Sequence, residues 1–165
     1  MEMIVSKGNK VLLDDMDYET IKAHKWYYDG RYCYRRETLS YNQEKRSYKT
    51  RKIYLHRQLL NFPAKGLDID HINCNKLDNR RSNLRIVTRS QNAVNKPKFG
   101  EHTSQYKGVC WHKQRGKWKA EARQGAVKRY LGVFDCEHAA ALAYNIHMQA
   151  NYGEYAMLNV ITKGD

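Results

Sequence analysis

Residues 70–92 hold the side chains best suited to chemistry. Asp70 and His71 are adjacent, Asn83 follows on a polar stretch, and Asn92 lies beyond a short apolar run. Hydrolysis of a phosphodiester needs a base to take a proton from water. It also needs a group to absorb charge on the phosphorane and on the leaving 3′ oxygen. Histidine serves as the base near neutral pH. A divalent cation on hard oxygen donors, such as a carboxylate and an amide carbonyl, does the second job. His71 is the candidate base, and Asp70 and Asn92 are the candidate metal ligands. Asn83 can bond either the loop backbone or the imidazole, fixing the ring. Each residue alone has a plainer reading: Asp70-His71 as exposed polar residues, Asn83 as a turn residue, Asn92 as a solvated helix position.

The elements that would hold these groups are short. Residues 67–71 read as a strand, a long polar loop follows to Asn83, and Leu84 to Val87 restores a strand. A short helix comes next, with Thr88 as N-cap and Gln91 as its capping-box partner. A ββα unit of roughly thirty residues is too small to enclose its own core, so it must lean on residues 1–60 or on a bound ion. Within 1–60, Val11 to Leu13 predicts a strand, and Asp17 is expected to cap a brief helix reaching His24. Asp29-Gly30, between Trp26-Tyr27-Tyr28 and Tyr32-Cys33-Tyr34, predicts a hairpin. Residues 37–52 are polar, charged and aperiodic, which predicts a loop. Ile53 to Leu55 predicts a strand, and His56 to Leu60 a helical turn.

The string Asp70-His71-Ile72-Asn73-x-Asn75, then Asp78-Asn79-Arg80-x-Ser82-Asn83-Leu84-Arg85, then Gln91-Asn92 resembles the HNH endonucleases of the ββα-metal type. More narrowly it is similar to the free-standing and intron-encoded homing endonucleases of bacteriophages, over about Val11 to Asn95. The resemblance implies that His71 is the general base, Asp70 the adjacent metal ligand, and Asn83 the residue that orients the base and braces the loop. Asn92 stands where the family name has its last histidine. An Asn there implies Mg2+, or else Mn2+, in place of zinc, and no structural zinc is expected. Arg80, Arg81, Arg85 and Arg89 are expected at phosphates near the scissile bond, and His56 in a structural or phosphate-contact role.

Composition supports a polyanionic partner. The 165 residues carry 30 Lys+Arg against 17 Asp+Glu, a formal charge of +13, with 13 tyrosines. Such a balance points to nucleic-acid phosphates or an anionic membrane, and no basic amphipathic helix favours the membrane. No apolar run is long enough to span a bilayer, and the start MEMIVSKGNK lacks the apolar centre of a signal peptide. The four cysteines are scattered, without a CxxC pair, which suits a reducing cytoplasm.

A Pro/Gly/Lys stretch at 96–100 introduces a change of pattern. Residues 106–112, 117–123 and 129–134 read as three strands, with turns at Arg115-Gly116 and Gln124-Gly125. A helix from about Glu137 to Tyr152 follows, with Asp135 as the expected N-cap. Its expected buried face carries Ala139, Leu142, Ala143, Ile146 and Ala150, and Tyr144 is also expected in the core. The basic residues crowd the strands and not the helix. Tyr106-Lys107-Gly108-Val109, Gly116-Lys117-Trp118-x-Ala120-Glu121-x-Arg123, Tyr130-Leu131-Gly132-x-Phe134, Ala139-Ala140-x-x-Ala143-Tyr144 and Leu158-Asn159 resemble the AP-two (ethylene-response-factor) DNA-binding domain. That domain also occurs fused to phage HNH nucleases. The resemblance implies a sheet laid in the DNA major groove with the helix behind it. Lys107, Arg115, Lys117, Trp118, Glu121, Arg123, Lys128 and Tyr130 are then the DNA-facing candidates.

The expected architecture is α+β. An HNH nuclease domain spans 1–98, with its ββα-metal core at about 67–96. A linker at 99–103 and an AP-two type domain at 104–160 follow. The expected activity is metal-dependent endonuclease cleavage of double-stranded DNA, by a monomer more readily than a dimer, in the cytoplasm of a phage-infected host. A DNA-binding regulator with an inactive nuclease fold and a structured-RNA binder are the alternatives, and a major-groove sheet disfavours the latter.

Overall fold

A computed structural model describes residues 1–98, 100, 102–124 and 127–162. It is mixed α and β, and it divides into two compact parts, Met1–Thr88 and Arg89 onward. The 99–103 linker and the turn at Gln124-Gly125 each include residues outside the described set.

In the first part, β1 (Glu2–Ile4) pairs antiparallel with β2 (Lys10–Leu12), and α1 (Asp15–Ile21) follows. The N-cap of α1 is Asp14 and not Asp17, whose carboxylate is buried and serves another partner, Arg81. β3 (Tyr27–Tyr28), β4 (Cys33–Asn42) and β5 (Ser47–Tyr54) form an antiparallel sheet. The β3–β4 turn forms at Asp29-Gly30, where Asp29 Oδ1 accepts from the backbone N–H groups of Arg31 and Tyr32 and Gly30 takes φ +90°. Residues 37–52, expected as a loop, instead complete a long β-hairpin. Their alternation is hidden because both faces are polar and exposed. α2 (Leu55–Leu59) follows directly, then β6 (Leu67–His71) and β7 (Leu84–Thr88), an antiparallel pair. The core gathers Val11, Leu13, Ile21, Trp26, Leu55 and Ile69 from almost every element. Val11, Leu13 and Leu55 are fully buried, each contributing about 1.5–3 kcal/mol. Residues 1–60 thus supply the core that the β6–β7 pair lacks.

The second part opens with α3 (Arg89–Val94). The division therefore precedes the Pro97 stretch, and Val94 accounts for it. This residue is buried with Ala122, Tyr144 and Met148, and its carbonyl accepts from Lys107 Nζ and Met157 N. β8 (Val109–His112), β9 (Lys117–Gln124) and β10 (Val127–Phe134) form a three-stranded antiparallel sheet, order 10-9-8, packed on α4 (Glu137–Tyr152). The N-cap of α4 is Cys136, and Asp135 is instead ion-paired with Lys117. The buried face of α4 is Ala140, Ala141, Tyr144 and Met148. Leu142 and Ile146, expected in the core, are 53% and 62% exposed. Size decides the face. Ala120 on β9 clusters with Ala140 and Ala141, none of them with any exposed area, so helix and sheet approach too closely there for leucine. Tyr144 fits because it lies over Gly108, where a Cβ would stand 2.1 Å from the ring. Asn159 ties the tail down: it exchanges bonds with Asn145 on α4 and with both backbone groups of Lys107.

Candidate active site and nucleic-acid interface

The β6–β7 register sets Asp70 opposite Arg85 and His71 opposite Leu84. His71 has no exposed area and Asp70 is 2% exposed. Between the strands, residues 72–83 fold by side-chain-to-backbone bonds instead of by a hydrophobic centre. Asn73 Oδ1 accepts from Asn75 N, and Asn75 Oδ1 accepts from Leu77 N. Asn83 braces this loop from its far end, accepting from Asn73 N at 2.9 Å and donating to Asp78 O at 2.8 Å. Two contacts moor the loop to the N-terminal elements. Leu12 N donates to Leu77 O and Asn79 N to Leu12 O, while Arg81 forks onto the buried Asp17 of α1.

Asn79 bonds the imidazole, a role the sequence reading left open to Asn83. Asn79 Oδ1 lies 3.3 Å from His71 Nε2, and the same amide donates through Nδ2 to Lys76 O. That amide orientation makes Nε2 the protonated nitrogen and leaves the basic lone pair on Nδ1. Burial, helped by the nearby Lys76 charge, lowers the His71 pKa to about 4, so the ring is neutral at pH 7. His56 packs against it with ring centroids 5.4 Å apart. Its own pKa is lowered to about 3 by burial and by His71. Tyr32 covers His56 at 4.9 Å and stands 6.3 Å from His71, so aromatic rings wall the imidazole.

Three of the arginines expected at phosphates are engaged by carboxylates. Arg80 forks onto Asp78, Arg81 onto Asp17, and Arg85 reaches Asp70 Oδ2 at 2.9 Å. Arg80 holds the Asp78 carboxyl below its ordinary range. Arg89 is exposed at the start of α3, and Asn92 lies further along that helix, in the second compact part. A carboxylate and an amide oxygen are hard donors of the kind Mg2+ takes. Among the described residues no group of three His, Cys, Asp or Glu side chains gathers as a metal cluster.

In the second part, strand alternation sorts the DNA-facing candidates. Lys117, Glu121 and Arg123 share the β9 face opposite α4, and the register brings Lys128 beside Arg123 and Tyr130 beside Glu121. Arg115 lies exposed in the β8–β9 turn. Trp118 points the other way, half-buried against the sheet–helix core and edge-on to Trp111 at 5.1 Å. Lys107 turns its ammonium to the Val94 carbonyl. Lys119, not among the candidates, belongs on the open face with Glu121, to which it is ion-paired. Period-two alternation from Lys117 was the signal for it.

Residues 61–94, containing β6, the loop, β7 and α3, match the family model described as HNH endonuclease. An HNH endonuclease of Acanthamoeba polyphaga mimivirus, otherwise uncharacterised, is 32% identical over 120 residues, 70% of this chain and 62% of that protein. An HNH endonuclease domain is therefore present at residues 61–94. Protein 3.8 of Escherichia phage T7 is 38% identical over 92 residues, 56% of this chain and 75% of that protein. An AP2-like ethylene-responsive transcription factor of Arabidopsis thaliana is 35% identical over 63 residues, 37% of this chain and 13% of the plant protein. This last similarity falls in the C-terminal region and supports an AP2-type domain there. The chain thus spans about three-fifths of the mimivirus protein and a small fraction of the plant one. No solved structure matches. No described helix is long and apolar enough to cross a membrane.

Proposed function

We propose that this protein is a metal-dependent, site-directed endonuclease of the homing type that hydrolyses double-stranded DNA. The observation that carries this reading is His71. It is a buried, neutral imidazole, bonded at Nε2 by Asn79 and seated in the HNH-matched hairpin. His71 Nδ1 takes the proton from the attacking water. Asn79 holds the tautomer and Asn83 holds the loop that carries Asn79, both by the bonds described. Asp70 and Asn92 would hold the cation, Mg2+ first and Mn2+ second. When bound, the cation offsets charge on the phosphorane and on the leaving 3′ oxygen. Products carry 5′-phosphate and 3′-hydroxyl ends, and a monomer with one site nicks one strand at a time. The open face of the C-terminal sheet supplies sequence preference, with Arg123 bonding a guanine edge and Glu121 a cytosine amine. The protein acts in the cytoplasm of a phage-infected host.

A DNA-binding regulator is the second reading, favoured by one contact: Arg85 engages the Asp70 carboxylate. Supercoiled DNA incubated with the protein in Mg2+, Mn2+ or EDTA separates the two. Metal-dependent open circles, reduced on the order of 10²–10⁴-fold in His71→Ala with binding retained, support the endonuclease. Binding without cutting in either metal supports the regulator.

A further inference from the structure

The outer β4–β5 hairpin has no structural reason to exist. Every residue from Thr38 to Lys52 is exposed, so this length of ribbon buries no core. A two-stranded ribbon is marginal in water by itself, and this one extends some 15–20 Å past its last buried residues. Its composition explains what it awaits. Residues 33–54 carry seven Lys+Arg and two Asp+Glu.

The two faces differ. The register places Tyr34 with Tyr54, Arg36 with Lys52, and Thr38 with Thr50 on one face, and Tyr41 with Tyr48 near its tip. A bulge at Leu39 keeps that tyrosine pair on the same side as Thr50. Tyr41 and Tyr48 are 49% and 67% exposed, with centroids 4.7 Å apart. Lys52 lies over the Tyr34 ring at 4.2 Å. The opposite face carries Glu37, which is ion-paired with Arg51. Cations, hydroxyls and phenols without an intervening glutamate suit phosphates and sugars. At its base the tyrosine face runs on into the wall of the active site, because Tyr54 stacks on His56, which packs against His71.

We infer that the β4–β5 hairpin is a second duplex-DNA contact surface, separate from the C-terminal sheet, that lies along the DNA with its Tyr34–Tyr48 face and leads the backbone to His71. A two-stranded ribbon matches the width of the major groove. The inference rests on the endonuclease reading for its substrate, and its test does not depend on cleavage.

The experiment measures binding of the full chain in EDTA to a duplex selected from a random pool, across a salt series, with hydroxyl-radical footprinting. The first variant is Arg36→Glu on the tyrosine face, with Lys45→Glu and Arg46→Glu at the exposed tip. The second is Tyr41→Ala, Tyr48→Ala, whose exposed sites leave the core untouched and whose charge is unchanged. Lys10→Glu, Lys65→Glu is the charge control, and circular dichroism verifies folding. The first variant is expected to bind at least 10-fold more weakly, to lose about 2–3 from the slope of log K against log salt, and to show a shortened footprint. The second is expected to lose affinity several-fold at an unchanged slope. An unchanged footprint and slope in the first variant overturns the inference, as does an equal loss in the control. A loss seen with structured RNA but not with duplex DNA also overturns it. A chain that never cuts in Mg2+ or Mn2+, yet loses its footprint in the variants, removes the endonuclease reading and leaves the hairpin assignment standing.

Discussion

Acid should unfold the N-terminal part through its two buried histidines. Burial lowers the His56 pKa to about 3, with His71, Arg57 and Lys76 adding to it. Burial and Lys76 lower that of His71 to about 4, and both rings have 6.5 in an open chain. Between pH 6.5 and about 4 the unfolded chain therefore takes up two protons that the folded chain refuses. Stability is full above that window and falls as pH drops through it. One proton costs about 1.4 kcal/mol per pH unit, so the pair removes about 5 kcal/mol between pH 7 and pH 4.5. That is a large share of an ordinary domain's 5–15 kcal/mol. Carboxylates enter later. Lys52 and the backbone at Tyr32 lower Asp29 to about 2, and Asp78 is lowered by Arg80, so both keep contributing until the pH falls below the usual carboxylate value of 3.8. Urea unfolding followed by Trp26 fluorescence, in a Trp111→Phe, Trp118→Phe background, reads this part of the chain alone. His56→Gln is expected to remove about half the drop. A urea midpoint that stays level from pH 7 to pH 4.5 would refute the burial of two neutral imidazoles.

Gly108→Ala should destabilise the C-terminal part by about 2–4 kcal/mol, since a Cβ at φ +77° would overlap the Tyr144 ring; thermal melting followed at Trp111 and Trp118 measures it. Arg81→Ala should lower the urea midpoint of the N-terminal part by about 1.5–3 kcal/mol, because Asp17 is left buried, while changing DNA affinity less than 2-fold. A clear loss of affinity at unchanged stability would return Arg81 to the phosphates. Asn79→Ala should reduce kcat about 10-fold or more with KM little changed, since it removes the bond that fixes the His71 tautomer.

The hairpin that carries the candidate site was legible because strand, loop and strand are written in residue types. Leu67 to His71 and Leu84 to Val87 bracket a loop whose Asn and Asp side chains bond backbone and one another in place of a hydrophobic centre. Which asparagine meets the imidazole was not legible. Asn79 and Asn83 have the same chemistry, and only the turn geometry between them separates their partners. The arginines misled for a related reason. Their targets Asp17, Asp70 and Asp78 lie at sequence separations from 2 to 64, and spacing says nothing about pairing across a fold. The β4–β5 hairpin escaped because its two faces differ in charge and aromatic content, not in hydropathy. Tyr41 and Tyr48, placed symmetrically about the turn, were the available signal. The α4 face failed because hydrophobicity was weighed without volume. Alanines line the closest helix–sheet contact, and Leu142 and Ile146 are too large for it.

The pairing of Arg80, Arg81 and Arg85 with acids bears on turnover as well as on folding. It leaves the loop around His71 with little surplus charge, although the chain as a whole carries +13. On the endonuclease reading, attraction for a polyanion must then reside in other segments, while the loop around His71 would neither gather stray strands nor cling to a freshly made 5′-phosphate. Cutting would become conditional on recognition elsewhere in the chain. Ionic strength would then govern how often the enzyme is loaded and leave the rate of the loaded complex nearly constant.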